Sequence, residues 1–275
     1  MNNINDWVGN QITHSETIYQ HQLDGVAALL NETVPAPGIV KPGGHWMYFL
    51  PADAQNTLGP DGHATKGGFL PPIELPRRMW AGSRLSFHAP LCVGEKAEKT
   101  STVKSIMPKE GRTGKLVFVT VEHEVKNENG LCIVEEHDIV FRDAPTADSG
   151  SKQPQLAPTD GDWDTVIEPD PVMLFRYSAV TYNSHRIHYD REYCIAEEGY
   201  PGLVVHGPLL GTLLMRLAEE KMGRSLKTFT FRNFNPIFDI APFTLSGKAE
   251  SEDKCTVWVA GPDGALAVSA TAEFK

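Results

Sequence analysis

The sequence predicts an α+β fold of two tandem halves, each an antiparallel sheet wrapped around a long helix. Three observations support this fold class: apolar residues at helical spacing, a β-hairpin pattern in each half of the chain, and a polar linker between the halves. The first half comprises residues 1–145, the linker residues 146–164 and the second half residues 165–275. Sheets of such tandem units can join edge to edge, which hides their open edges.

Helical periodicity occurs in three segments. Thr17–Asn31 and Pro208–Met222 both place apolar residues at intervals of three and four, which predicts one helix in each half. Asp170 before Pro171 is a favourable N-cap, so residues 171–178 are predicted to form a short helix. Residues 179–182 fit either a helix or a strand.

The same hairpin pattern occurs in both halves. Residues 116–141 are rich in β-branched side chains and contain the turn Asn129-Gly130, and residues 255–274 repeat this pattern around Pro262-Asp263-Gly264. Arg84-Leu85-Ser86-Phe87 in the first half similarly resembles Arg232-Asn233-Phe234 in the second. The halves are therefore interpreted as distant copies of one plan.

Two segments lie outside this repeat. Residues 143–162 are rich in Pro, Ser, Gly and Asp and lack hydrophobic periodicity, which indicates a linker. Val34–Pro76 is rich in Gly, Pro and aromatic residues and has no counterpart in the second half. A long segment of this kind is predicted to form a lid or the wall of a pocket.

Composition excludes several classes of protein. The hydrophobic content of 41% can supply a substantial core, and the net charge of −10 argues against nucleic-acid binding. The four cysteines lack C-x-x-C spacing, which favours reduced, buried thiols over disulfides or a structural zinc site. No apolar run is long enough to span a membrane and the N-terminus lacks a secretory pattern, so a soluble cytoplasmic protein or a mature organellar chain is expected.

The segment from Tyr177 to Asp190 is the strongest candidate for chemistry. It places histidine, amide and carboxylate side chains around one arginine, and His188 is a natural proton donor or acceptor at neutral pH. Downstream, His206-Gly207-Pro208 begins a predicted helix, whose free backbone N–H groups can hold an oxyanion. The alternatives are that these histidines are structural and that the second motif is an ordinary helix start.

Other chemistries have less support. His185-x-x-His188-x-Asp190, with Cys194 beyond, has the composition of a metal site but lacks a second pair of ligands at standard spacing, so no metal is expected. The sequence contains neither a dinucleotide-binding glycine motif nor a P-loop at a strand–helix junction. It also lacks the G-x-S-x-G nucleophile motif of hydrolases.

The segment Asn183-Ser184-His185-Arg186-Ile187-His188 resembles the motif of the MaoC-like, or hydratase-2, dehydratases: Asp, any residue, Asn, Pro, an aliphatic residue and His. The surrounding sequence, with P-G-L-V-V-H-G-P-L-L, resembles the subgroup of type 2 hydroxyacyl-thioester dehydratases and of the itaconyl-CoA, mesaconyl-C4-CoA and 3-methylfumaryl-CoA hydratases. The resemblance implies a double hotdog fold with a degenerate first half and a catalytic second half. It also implies reversible hydration of an enoyl thioester.

The resemblance assigns roles to individual residues. Gly207 N–H is expected to stabilise the thioester enolate, and His188 to transfer the proton or activate water. Asn183 stands where the family has its catalytic Asp; it cannot act as a general base and is expected to orient the water. His185 and Asp190 are the candidates to replace the missing carboxylate.

The resemblance also implies a short branched dicarboxylic acyl-CoA, such as itaconyl-CoA or mesaconyl-C4-CoA, as the substrate. The free carboxylate of that acyl group needs a cation, for which arginine is well suited. The predicted substrate-binding residues are Arg186, Tyr182, His206, Arg77, Arg78 and Arg112. Alternatively, the arginines contact CoA phosphates or surface carboxylates. Coenzyme A is part of the substrate, no separate cofactor is expected, and the chain is expected to form a homodimer.

Three other functions stay open at this point. The first is a general 3-hydroxyacyl-thioester dehydratase. The second is a non-catalytic acyl-CoA or acyl-carrier binding module, in which loss of the Asp has abolished hydration. The third is thioester hydrolysis, which is disfavoured because the helix after His206-Gly207 carries no carboxylate before Glu219.

Overall fold

The computed structural model describes residues 3–33, 38–111, 114–143 and 153–275. The elements of the first half are β1 (Gln11–Thr17), α1 (Gln20–Leu30), β2 (Arg77–Phe87), β3 (Lys96–Gly111), β4 (Gly114–Asn127) and β5 (Gly130–Arg142). Those of the second half are β6 (Trp163–Ile167), α2 (Pro171–Thr181), α3 (Arg191–Ala196), α4 (Gly207–Met222), β7 (Leu226–Asn233), β8 (Phe243–Ser251), β9 (Lys254–Ala260) and β10 (Leu266–Phe274).

All ten strands belong to one antiparallel sheet, in the order β1-β3-β4-β5-β2-β7-β10-β9-β8-β6. The two halves have the same internal strand order, and they meet where β2 pairs with β7. The two similar sequence motifs are thus neighbours, since Gly82 lies opposite Arg232 and Arg84 opposite Thr230. The predicted hairpins and the predicted edge-to-edge joining are confirmed.

The helix α4 is the central helix of the second half. Pro208 is accommodated in its first turn, and Gly223 ends it in the left-handed region (φ 63°). Its apolar residues are buried against β7, β8, β9 and β10, as the helical spacing predicts. The helix α1 is shorter than predicted, because Thr17 belongs to β1 and the helix ends at Asn31, which is also left-handed (φ 56°).

The boundary between the halves differs slightly from the prediction. The strand β6 begins at Trp163, so the last two residues of the predicted linker already belong to the sheet, while residues 144–152 lie outside the described part of the chain. The helix α2 continues to Thr181, so residues 179–181, for which the sequence fitted either a helix or a strand, are helical. The Asp170 carboxylate caps α2 by accepting a hydrogen bond from Met173 N–H at 2.7 Å.

The predicted lid divides into two parts. Tyr48 and Phe49 are 1% and 3% exposed, so residues 44–49 belong to the core rather than to a mobile cover. Residues 51–68 are mostly exposed or half-buried and cross over the candidate motif of the second half, whereas residues 34–37 lie outside the described ranges. None of the described helices has the length and hydropathy needed to cross a membrane.

Candidate active site

His188 lies in a single turn of 3₁₀ helix, Arg186–His188, and is 7% exposed. Its Nδ1 lies 2.7 Å from the carbonyl oxygen of Val204, which accepts the Nδ1 hydrogen. Burial lowers the pKa of His188 to about 4, so the ring is neutral at pH 7. With the proton on Nδ1, the Nε2 atom keeps its lone pair and is ready to accept a proton or a hydrogen bond.

His206 supports this ring from behind. The two imidazoles stack with centroids 3.7 Å apart, and His206 Nε2 lies 2.9 Å from the Ser178 hydroxyl. The His206 side chain is completely buried (0% exposed), and its contact with substrate stays a prediction. Burial and the neighbouring His188 hold the pKa of His206 well below its usual range, which keeps the stacked pair uncharged.

Gly207 is the first residue of α4, and its N–H donates to no acceptor among the described residues. A Cβ atom at this position would lie 3.1 Å from Asn233 Nδ2, so the helix start packs closely on β7. Asn233 Nδ2 in turn donates to Trp80 O of β2 at 2.8 Å. The helix start is therefore fixed at the junction of the two halves, where its N–H can stabilise an oxyanion.

The motif residues Asn183 and His185 form a tight turn. The Asn183 side-chain oxygen accepts a hydrogen bond from His185 N–H at 3.0 Å, which leaves the amide NH₂ to orient a ligand. Burial, together with His63 and His188, lowers the pKa of His185 to about 2. The ring centroids of His185 and His188 are 5.5 Å apart, so both predicted histidines line the same site. Tyr182 is 62% exposed, and its contact with substrate stays a prediction.

Asp190 is used structurally. One carboxylate oxygen caps α3 by accepting from Tyr193 N–H at 3.0 Å, and the other accepts from Arg186 Nε and Nη2 at 3.0 and 2.8 Å. These hydrogen bonds lower the pKa of Asp190, so it is a poor replacement for the missing catalytic carboxylate. Arg186 also donates to Pro60 O at 3.0 Å, and its guanidinium is therefore already occupied by protein groups.

The remaining predicted arginines differ from one another. Arg77 pairs with the Glu198 carboxylate at 3.2 Å and donates to its carbonyl at 3.0 Å, so it joins the halves, and its contact with substrate stays a prediction. Arg112 lies outside the described residues. Arg78 is half-buried, and its guanidinium has no hydrogen bond or ion pair with the described residues. Burial is the main cause that lowers the pKa values of His63 and His185, and the positive charge of Arg78 adds to it, so the guanidinium is within electrostatic range of the histidine cluster.

Two residues of the site were missed in the sequence. Asp61 and His63 lie in the segment that crosses the motif, and the carboxylate of Asp61 is 3.0 Å from His63 Nδ1. The ring of His63 lies 4.0 Å from that of His185, centroid to centroid. The sequence Asp61-Gly62-His63 within the predicted lid contains side chains suited to acid–base chemistry. Nothing in their spacing indicates where that segment docks.

The family model of hydroxyacyl-thioester dehydratase type 2 matches residues 43–239. A mesaconyl-C(4)-CoA hydratase from Chloroflexus aurantiacus is 44% identical over 271 residues, which cover 98% of this chain and 96% of the relative.

Solved structures support the fold. The crystal structure of HtdX from Mycobacterium tuberculosis superposes with a TM-score of 0.68 at 16% identity, covering 96% of this chain and all of that one. A second M. tuberculosis protein, described as a double hotdog fold, has a TM-score of 0.59 at 11% identity, covering 97% of this chain and 96% of that one. The chain is therefore an α+β double hotdog protein that belongs to the hydroxyacyl-thioester dehydratase type 2 family, and it is a hydro-lyase of acyl thioesters.

Proposed function

We propose that this enzyme reversibly hydrates the double bond of a short branched dicarboxylic acyl-CoA of the mesaconyl-C4-CoA type. The observation that carries the proposal is the guanidinium of Arg78, which lies within electrostatic range of the histidine cluster without a partner among the described residues. Burial lowers the pKa of Arg78 and the charges of Asp61 and Asp53 oppose part of that shift, but neither carboxylate forms an ion pair with the guanidinium. Its hydrogen-bond donors can therefore bind an anionic group of a ligand. The relationship to the mesaconyl-C(4)-CoA hydratase supports the same substrate class.

The free carboxylate of the acyl group supplies that anion. On β2, Arg78 lies two residues before Trp80, so both side chains project to the same face of the sheet. The backbone oxygen of Trp80 is bonded to Asn233, against which Gly207 packs. A substrate with its thioester at Gly207 and its carboxylate at Arg78 thus lies across the junction of β2 and β7, and Arg78 binds the carboxylate through two parallel hydrogen bonds.

The reacting groups follow from this placement. Gly207 N–H donates to the thioester oxygen as the enolate develops, and the free Nε2 of His188 accepts a hydrogen bond from the water that attacks the β-carbon. Asn183 and His185 position that water. In the reverse direction the same groups assist the loss of hydroxide from a hydroxyacyl thioester, which unites hydratase and dehydratase activities in one site.

The test is a comparison of substrates. We expect kcat/KM, measured by loss of enoyl-thioester absorbance, to be far higher for mesaconyl-C4-CoA or itaconyl-CoA than for crotonyl-CoA. Release of free thiol is measured in parallel, and its appearance in place of hydration would indicate thioester hydrolysis. If no enoyl-CoA is hydrated under conditions in which the protein binds acyl-CoA, the proposed function is wrong.

A general 3-hydroxyacyl-thioester dehydratase is the second candidate, and the matching family model favours it. Equal or better use of crotonyl-CoA would select this alternative. In both cases coenzyme A is part of the substrate, and no further cofactor is proposed. The homodimer and the cytoplasmic location stay predictions from the sequence.

A further inference from the structure

We propose that His63, held in place by Asp61, is a second catalytic residue of this site and takes the proton that leaves the attacking water. This inference rests on the proposed hydration. The motif itself offers no free carboxylate. Asn183 stands at the position of the family's Asp, and the Asp190 carboxylate already accepts hydrogen bonds from Arg186 and from the start of α3. The carboxylate comes instead from the first half of the chain.

The loop that carries this pair is docked on the motif backbone. Arg186 N–H donates to Asp61 O at 2.9 Å, and the Ser184 hydroxyl donates to Gly62 O at 2.5 Å. Gly62 has a φ of 87°, and a Cβ atom there would overlap the carbonyl oxygen of Ser184. Only glycine therefore allows the loop to approach so closely, and the approach fixes the residues on either side of it.

The carboxylate fixes the orientation of the His63 ring. Asp61 Oδ1 accepts from His63 N–H at 3.0 Å, while Oδ2 lies 3.0 Å from Nδ1. An ionised carboxylate only accepts hydrogen bonds, so Nδ1 carries the hydrogen and Nε2 keeps a lone pair. One potential ligand atom from each of Asp61, His63 and His185 lies within 4.8 Å of the others. The His63 and His185 rings lie 4.0 Å apart, centroid to centroid, and the attacking water is held beside them at His63 Nε2.

The charged groups around His63 favour it as the base. The Asp61 carboxylate is 3.0 Å from His63 Nδ1 and the His185 ring lies 4.0 Å away, centroid to centroid, while the positive charge of Arg78 acts on both rings. Burial lowers the pKa of His63, which keeps the ring neutral, while Asp61 opposes part of that change. When His63 accepts a proton, Asp61 stabilises the imidazolium, in the way that the carboxylate of a Ser-His-Asp triad does. His188 donates only to a neutral carbonyl, so its imidazolium has no such partner.

In the hydration step, His63 acts on the attacking water. His63 Nε2 forms a bond to one hydrogen of the water as the O–H bond breaks, and the oxygen forms a bond to the β-carbon. The π electron pair moves towards the thioester oxygen as an enolate, which Gly207 N–H stabilises. The proton then moves from His63 Nε2 to the α-carbon, which restores the neutral ring. The second hydrogen stays on the oxygen and is donated in a hydrogen bond to His188 Nε2, which orients the water.

Two substitutions test the pair. His63→Gln should lower kcat by about 10²–10⁴-fold, the usual contribution of acid–base catalysis, with little change in KM. Asp61→Asn should lower kcat by at least about tenfold and move the acid limb of the pH profile to lower pH, because the carboxylate raises the pKa of His63. Asparagine can still accept the His63 N–H bond, so loop docking is retained. Imidazole in the buffer should restore part of the activity of His63→Ala.

The control is His14→Gln, an exposed histidine on β1, which should leave kcat unchanged. Near-normal kcat in His63→Gln, while the wild type hydrates its substrate, would overturn the role of His63 and leave the proposed function intact. A loss of kcat in Asp61→Asn without movement of the acid limb and without imidazole rescue of His63→Ala would show a merely structural role. Inactivation by EDTA and recovery with Zn²⁺ would instead make His63 a metal ligand and also overturn the proposal.

Discussion

The two halves share one strand order but differ in what they bury. In the second half, the 16-residue helix α4 packs its apolar face on four strands. In the first half the equivalent strands are longer, with 16 residues in β3 against nine in β8, and α1 has only 11 residues and packs mainly on α2 and residues 44–47. A buried polar cluster occupies part of the inner face of the first half's sheet. The same strand order therefore surrounds an apolar interior in the second half and a partly polar one in the first.

Glu135 is the centre of this polar cluster. It is 3% exposed and accepts hydrogen bonds from Trp46 Nε1 at 2.9 Å and from Ser83 Oγ at 2.8 Å, and it lies 3.2 Å from His45 Nε2. His137, two residues along β5, stacks on Trp80 with centroids 4.1 Å apart. Where the second half packs apolar side chains on its sheet, the first half therefore has polar groups that hold His45 and Trp46 in place.

The largest expected effect tests His188. His188→Gln keeps a side-chain donor for Val204 O but removes the imidazole that orients the attacking water, and it should lower kcat/KM by about 10²-fold, as expected when a reacting group is misplaced. Binding of acyl-CoA, followed by calorimetry, should be retained. Because glutamine is smaller than histidine against the stacked His206 ring, His188→Ala serves as a second variant, and activity above about a tenth of wild type in both would contradict the role of His188.

The second prediction tests what the first half contributes to specificity. Arg78→Gln should lower kcat/KM for the dicarboxylic acyl-CoA by about 10–100-fold, because a hydrogen bond to a charged group contributes about 1.5–3 kcal/mol, while crotonyl-CoA should be affected little. Arg84→Gln is the matched control, since Arg84 lies on the same strand but pairs with Asp138 and Glu136 on the exposed face. An equal loss for both substrates would mean that Arg78 binds the CoA part.

The third prediction concerns the stability of the polar cluster. Glu135→Gln should lower the free energy of unfolding by about 2 kcal/mol, because it replaces a charged acceptor by a neutral amide. Burial alone would raise the pKa of Glu135, but the hydrogen bond from His45 and the nearby histidines hold it well below its usual range.

A depressed pKa in the folded state contributes stability above the unfolded pKa of about 4.3 and loses it as the pH falls through the folded pKa. The difference between wild type and Glu135→Gln should therefore be full at pH 7 and shrink below about pH 4. Glu122→Gln, on the outer face beside Lys104, is the control. A pH-independent difference in denaturant midpoint would exclude ionised Glu135 as the cause.

The smallest expected effect concerns Asn183, which stands where the family's motif has Asp. Asn183→Asp should lower kcat, because it removes the amide donor and adds a second carboxylate near the one that Asp61 already supplies. The loss should stay below about tenfold, or about 1.4 kcal/mol, because an aspartate can still accept the hydrogen bond from His185 N–H. A clear gain in turnover would show that Asn183 marks a lost base.

The sequence predicted well those features that depend on local pattern. Apolar spacing predicted α4, turn residues predicted both hairpins, and the motif placed His185 and His188 in one site. It could not distinguish the arginines, because whether Arg77 meets Glu198 or a ligand depends on contacts 121 residues apart. Asp61 and His63 were missed for the same reason. Their role depends on where a loop without repeating pattern docks, and the spacing of residues in the sequence does not show the docking position.

The junction of β2 and β7 has a further consequence. In the proposed mechanism each half contributes groups to a single site, so a separately expressed second half would have to capture the first half from solution. Within one polypeptide the covalent connection holds the two halves at an effective concentration on the order of millimolar. Assembly of the site therefore does not depend on how dilute the enzyme becomes. The two halves have separate sequences within one chain, so a substitution in one half is not repeated in the other. Glu135 and Asp61 can therefore be present in the first half without equivalent residues in the second.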